Sequence, residues 1–284
     1  MEVRGTPLVL REGTEPVVLV PDPDHRSAFL LRVGQTDQSY VDLDDPLRLE
    51  FDYVQRIADA VEVLFEAGAP LRAVHVGGAG LTLPRYLVAT RQGSVQTVLE
   101  PDVGLTDLVR DRLPLPRSSG IKVRGVDGRT GLAQLRDGIA DLVVLDAFAG
   151  AQVPSDLTTR AAVAELHRVL RPGGALLVNV TDRGPLAYTR RVLAGLEEKF
   201  ATLGLTAEPS TLKGRRFGNV VLLATDRTLD VGVWASFADR AGRPPFPHRV
   251  LHGARVEQLV GGARPFVDDP ETSPLPPADL FGLH

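Results

Sequence analysis

The sequence predicts an α/β protein: a mostly parallel, Rossmann-like sheet with helices on both faces, preceded by a small antiparallel β domain. Three observations lead there. A strand, a glycine turn, a helix and a second strand follow one another over residues 73–102. Short apolar runs then alternate with helical spacing as far as residue 225, the pattern that builds a parallel sheet buried on both faces. The first 45 residues hold only short β-rich runs between turns. The expected division is residues 1–45, 46–227, and a Pro/Gly-rich extension over 228–284 that wraps the surface.

Composition narrows the function. At 284 residues the chain can bury a sizeable core, and 43% hydrophobic with 24% charged residues is ordinary for a globular protein. A net charge of −4 gives no basic footprint for nucleic acid. No apolar run approaches the roughly 18 residues of a membrane span, and MEVRGTPLVL lacks a basic segment followed by a long apolar one. The expectation is a cytoplasmic protein acting on small molecules, with no membrane partner. The absence of cysteine removes disulfides, thiolate chemistry and Cys-based zinc sites.

In chain order, Pro7 to Leu10, Val17 to Val20 and Ala28 to Val33 read as strands of the small sheet, whose exposed edge is a plausible homodimer surface. Leu49, Tyr53, Ile57, Val61, Leu64 and Phe65 share one face of a helix over 46–67 that Gly68 ends. Val74 to Val76 is a strand entering Gly77-Gly78-Ala79-Gly80, and Pro84 suits the first turn of the next helix. Val95 to Leu99 is the second crossover strand, finishing on Glu100. A helix over 103–113, a strand over 121–126 ending at Asp127-Gly128, and a strand over 141–145 delivering Asp146 follow. Then come a helix over 156–170 capped by Ser155 or Asp156, a strand over 175–180, a helix over 188–203, and a closing pair over 206–212 and 219–224 around Lys213 to Arg216. Gly80, Glu100, Asp127 and Asp146 all fall at carboxyl ends of strands, where such sheets bind ligands.

Glycines at the first crossover let backbone approach a ligand, and an acid about 20 residues on accepts ribose hydroxyls. Leu83 stands where a dinucleotide fingerprint wants a third glycine, so a single-nucleoside ligand such as S-adenosylmethionine is favoured over NAD. The alternative is a structural turn with no ligand. His248 and His252 are four apart, but Pro244, Pro245 and Pro247 crowd the approach and no third ligand is evident, so no metal site is expected.

Several short blocks, in order and at the right spacing over about residues 28–225, resemble the spermidine synthase family within the class I S-adenosylmethionine-dependent methyltransferase superfamily. They are Leu31 to Gln38, Glu50-Phe51-Asp52-Tyr53, Val76 to Gly80 with Arg85, Val98 to Asp102, Asp127-Gly128, and Asp141 to Asp146. Phe266 to Pro270 is similar to a tail found in such proteins. The resemblance implies that Gly77, Gly78 and Gly80 hold the sulfonium side chain, Glu100 the ribose, and Asp127 with Gly128 the adenine. It makes Asp146 the group that orients and helps deprotonate a nucleophilic amine, with Tyr53 and Gln38 lining the acceptor side, Tyr53 counted with the catalytic set and Gln38 with the cofactor-binding set. Bland alternatives stand beside these roles: Glu100 as a solvated acid, Asp127 as a turn residue, Asp146 as a cap, Tyr53 as packed core, Arg85 as a surface cation rather than a carboxylate partner.

Two departures shape the functional expectation. The family's glycine turn carries an aspartate where this chain has Gly80, and a second aspartate after the catalytic strand is here Ala149. A pair of unit charges about 4 Å apart at an effective dielectric near 20 interacts by roughly 4 kcal/mol, about three decades in binding. Gly80 therefore reads as removal of a filter against the carboxylate of intact S-adenosylmethionine, and methyl transfer to a small acceptor is the leading expectation. Its alternatives are aminopropyl transfer from decarboxylated S-adenosylmethionine, with Asp182 among the acids replacing those lost, and a non-catalytic nucleoside-binding protein.

Overall fold

The computed structural model describes residues 6–13, 15–267 and 271–277. Asp268, Asp269 and Pro270 of the tail motif lie outside the described residues, as do residues 1–5. The chain opens with an antiparallel meander, β1 (Leu8–Arg11), β2 (Val17–Pro21), β3 (Ala28–Val33) and β4 (Thr36–Asp42), paired in that order. Helix α1 (Asp52–Leu64) follows, shorter than its periodicity suggests because residues 46–51 form a turn and an extended stretch.

The crossover is β5 (Arg72–Val76), α2 (Thr82–Thr90) and β6 (Val95–Leu99). Next are α3 (Val103–Arg112), β7 (Ile121–Arg124), α4 (Gly128–Ala133) and β8 (Ala140–Leu145). Helix α5 (Arg160–Val169) begins later than the sequence suggests: Ser155–Leu157 is a separate 3-10 turn, and the cap is Thr159, whose hydroxyl accepts the Ala162 N–H. Strand β9 (Leu170–Asp182) takes over directly, carrying Pro172 and the two following glycines inside it across a register shift. Then come α6 (Ala187–Glu197), β10 (Thr202–Ala207), the single turn α7 (Pro209–Leu212) and β11 (Gly218–Thr225). The segment read as a strand over 206–212 is thus a strand end plus a helical turn; Pro209 suits the start of that turn, where its missing N–H costs nothing. Beyond residue 228, α8 (Val231–Ala241), β12 (Arg249–His252) and α9 (Ala254–Val260) form, and β12 adds an eighth strand to the main sheet.

That sheet runs β12-β10-β11-β9-β8-β5-β6-β7, parallel from β9 to β7 and antiparallel beyond β9. Order reverses between β5 and β8, where β6 continues one way and β8 the other, leaving a crevice at their carboxyl ends. The period of two explains the two cores. On β8, Val143 and Leu145 face one hydrophobic layer, with α5 and α6, while Leu142 and Val144 face the other, with α1, α2 and α8. The meander packs separately on α3: Val17, Leu19, Leu31 and Val41 meet Leu105, Val109 and Leu113. An ion pair of 2.8 Å between Arg11 and Asp102 fastens its first strand to the start of α3.

Candidate active site

Two cavities open side by side above the carboxyl ends of the parallel strands. The first, about 660 Å³, is walled by Gly77, Gly78, Glu100, Asp127, Gly128 and Asp146. The second, about 580 Å³, is lined by Asp52, Tyr53, Asn179, Glu208, Arg216 and Phe217. Gln38 and Phe148 line both.

The first cavity is made by strand ends that stay hydrogen-bonded past their last pleat. Gly77 N–H donates to the Leu99 carbonyl at 2.9 Å and Asp146 N–H to the Val76 carbonyl at 2.9 Å, which places the glycine turn against the start of the Asp146 loop. Gly77 has φ +96°, and a Cβ there would overlap the Asp146 carbonyl oxygen, so this position requires glycine on both counts. Glu100 closes the wall. Its Oε2 accepts the N–H groups of Gly78 (3.0 Å) and Ala79 (3.2 Å), and its Oε1 accepts that of Asp102 (3.0 Å). Asp127 is exposed and caps α4 through the Thr130 N–H at 2.9 Å, a bond that holds its carboxyl below the usual range.

Asp146 lines the first cavity, and its bonding partners Asn179 and Tyr53 line the second. Burial pushes its carboxyl up to about 6, opposed by hydrogen bonds from Asn179 and Tyr53. Asn179 Nδ2 donates to Asp146 Oδ1 at 2.9 Å. Burial, and then the charges of Asp146 and Asp52, hold the Tyr53 hydroxyl well above its ordinary value, so it is a proton donor throughout the physiological range.

Other sequence-selected residues lie elsewhere. Gly80 is on neither cavity wall: its N–H donates to Ser39 Oγ at 3.0 Å, and a Cβ there would meet Ser39 Cβ at 2.7 Å and Val41 Cγ2 at 3.1 Å. Arg85 is buried, donating to the carbonyls of Gly80 (3.3 Å), Pro114 (3.1 Å) and Leu113, and pins α2 to the end of α3. Asp182 is 1% exposed and accepts from Arg183 N–H, Thr189 N–H and Thr189 Oγ–H, each at 2.8 Å, so it caps the approach to α6 and does not replace a substrate-binding acid. His252 stacks on Trp234 while His248 Nε2 bonds Asp52 Oδ2 at 3.0 Å, which separates the two histidines.

Sequence reasoning missed Asn179, Glu208, and Asp52 as a cavity residue. The signal for Asn179 was an amide inside the apolar run LLVNV; a lone polar group in a core strand needs a partner. Glu208 gives no comparable signal, because an acid before Pro209 reads as a turn. The C-terminal segment was missed too: Leu275 lines the first cavity and Pro276 the second, and Ser273 Oγ accepts the Val153 N–H at 2.9 Å.

No family model matches the chain. The polyamine aminopropyltransferase of Chromobacterium violaceum is 23% identical over 211 residues, 73% of this chain and 76% of that protein. The crystal structure of a probable spermidine synthase from Corynebacterium glutamicum is 28% identical, with a TM-score of 0.87 over 95% of this chain and all of that one. Spermidine synthase from Thermotoga maritima, at 12% identity and a TM-score of 0.60 over 80% of this chain and 74% of that one, shows the fold alone. The molecule is a transferase on the class I S-adenosylmethionine-dependent methyltransferase fold. Within that class, the chain is similar to the spermidine synthases, in sequence at 23–28% identity and in fold.

The methyl-transfer expectation is overturned. The curated relative is a polyamine aminopropyltransferase, and the solved structure that matches 95% of this chain at 28% identity is a probable spermidine synthase. The argument for a methyl donor fails on geometry as well, since position 80 faces Ser39 and Val41 and lines neither cavity.

Proposed function

We propose that the protein transfers an aminopropyl group from decarboxylated S-adenosylmethionine to an amine. The observation that carries this reading is the half-buried carboxyl of Asp146, which lines the first cavity and is bonded by Asn179 and Tyr53 of the second, in a chain similar to a polyamine aminopropyltransferase and a probable spermidine synthase. The first cavity suits a nucleoside donor: glycines leave room at one wall, and Glu100 presents a tethered carboxylate to the ribose. Gln38 and Gly128 complete that wall, and Asp127 stands at its exposed rim where an adenine amino group would donate. No metal is required, because a sulfonium is already an electrophile.

In the step itself the acceptor nitrogen uses its lone pair to form a bond to the propyl carbon. The carbon–sulfur bond breaks, its electron pair stays on sulfur, and methylthioadenosine leaves as a neutral thioether. The surplus proton on nitrogen passes to Asp146. A carboxyl near 6 is ionised at neutral pH yet basic enough to accept that proton. Tyr53 and Asn179 hold the carboxylate for in-line attack, and positioning of this kind supplies most of the acceleration.

Incubation with decarboxylated S-adenosylmethionine and a panel of primary amines, read by mass spectrometry, tests the reading. Methylthioadenosine and an amine heavier by an aminopropyl group are expected. S-adenosylhomocysteine formed from intact S-adenosylmethionine, with no aminopropyl product from the decarboxylated donor, would overturn it.

A further inference from the structure

The C-terminal segment is fixed beside the cavities more firmly than a surface tail requires, and the proposed transfer step gives it no part. Its near end is seated by Phe266, which is fully buried. The Arg160 N–H donates to the Phe266 carbonyl at 2.8 Å, and the Arg191 guanidinium lies over the ring, 4.0 Å from its centroid. Arg191 also pairs with Glu271 at 2.7 Å. Ser273 is the anchor. It is fully buried, and its Oγ accepts the Val153 N–H at 2.9 Å and lies 3.4 Å from Thr181 Oγ1 on β9. Gln152 Nε2 donates to the Ser273 carbonyl and, at 3.0 Å, to Thr272 Oγ1. These contacts tie the segment to the loop that follows Asp146, the same loop whose Phe148 and Ala151 line both cavities.

Leu275 stands two residues past that anchor, in the run Pro274-Leu275-Pro276-Pro277. Each proline fixes its own φ and confines the residue before it to extended backbone, so the run is stiff without belonging to a helix or strand. A stiff run held at Ser273 also sets the place of Leu275. That leucine lines the first cavity with 60% of its surface exposed, and Pro276 beside it lines the second. A single exposed leucine on a loose tail has no consequence. One held at a cavity wall by a buried serine offers apolar surface to whatever fills the cavity.

We propose that the C-terminal segment completes the donor site: Leu275 packs on the bound nucleoside, and Gln152 and Ser273 are positioning residues that hold it there. This rests on the reading of the first cavity as the donor cavity. The contact is apolar, so the neutral product methylthioadenosine probes it as well as the charged donor does.

Calorimetric titration with methylthioadenosine is the test. Leu275→Ala is expected to weaken binding about 5- to 20-fold, because part of one leucine's apolar surface is no longer buried on the ligand. Leu275→Met is expected to bind within about twofold of wild type, since the thioether chain fills similar space. Gln152 lines neither cavity, and Gln152→Glu sets a carboxylate against the Ser273 carbonyl in place of the donating amide. It is expected to weaken binding about 3- to 10-fold and to add little in the double variant with Leu275→Ala, a coupling that a merely structural role would not produce. Circular dichroism shows that each variant folds, and the exposure of Leu275 leaves its variants free of a core defect. Affinity unchanged in both Leu275→Ala and Gln152→Glu overturns the inference and leaves the aminopropyl reading standing. Tighter binding in either variant would mean that the segment occupies space the donor needs, and would also overturn it. Wild-type protein that binds neither methylthioadenosine nor decarboxylated S-adenosylmethionine overturns the donor-cavity reading instead.

Discussion

The two cavities are built on different plans. The first cavity, proposed to take the donor, is assembled from the ends of neighbouring strands: Gly77 after β5, Glu100 after β6 and Asp146 after β8 are held in place by the sheet's own ladder. The second cavity, proposed to take the acceptor, draws on the meander, α1, β9, the turn after β10 and the C-terminal segment, elements far apart in sequence. A site at the ends of adjacent parallel strands inherits its geometry from the fold. A site gathered from loops and helix starts must be set by individual side-chain contacts, such as Asn179 on Asp146 or His248 on Asp52.

The sharpest way to break this comparison is at Asp146, which lines the first cavity and is bonded by Asn179 of the second. Asp146→Asn is expected to lower kcat about 10²- to 10⁴-fold while donor affinity, measured by calorimetry with methylthioadenosine, changes less than tenfold. A larger loss of donor affinity would mean that Asp146 belongs to the donor wall alone. Gly77→Ala is next: it is expected to cost several kcal/mol of stability in chemical denaturation, because φ +96° and the Asp146 carbonyl both oppose a side chain. Glu100→Ala is expected to weaken methylthioadenosine binding about 10- to 100-fold, and it also releases the Gly78 and Ala79 N–H groups.

The pH dependence separates the cavities more gently. With the Asp146 carboxyl near 6, kcat is expected to rise as pH increases through about 6, since only the ionised form accepts a proton. Tyr53→Phe removes a hydrogen bond that favours the ionised form, so the same limb is expected to move to higher pH by less than about one unit. The sign for stability is opposite. A carboxyl raised from 3.8 to about 6 on folding binds more protons in the native state between those values, so its contribution is full below about pH 4 and is lost as pH rises through 6. Asp146→Asn is therefore expected to raise the denaturation midpoint at pH 7 more than at pH 4.

What was legible in the sequence follows the same division. The strand ends carry their own signals, apolar runs that stop on Glu100 or Asp146, and the crossover and the sheet were read from them. Gly80 was read wrongly because a motif position says nothing of direction; Ser39 on a neighbouring strand decides where its Cβ points. Asp52, Asn179 and Glu208 come together only in three dimensions, and nothing in their spacing announces it. The proline- and glycine-rich end hid α8 and β12 for a related reason: Trp234 and Phe237 on α8 are buried against the back of the sheet through contacts invisible to local pattern.

Strand β4 supports both sides at once. Gln38 reaches the cavities, Ser39 receives the Gly80 amide, and the Tyr40 carbonyl accepts the Thr82 hydroxyl at 2.9 Å, all within three consecutive residues. The meander is consequently no detachable module. Swapping it for the corresponding piece of a relative would exchange a wall of the catalytic chamber and unseat the start of α2, so chimaeras joined between β4 and α1 must carry the matching glycine turn along with the graft.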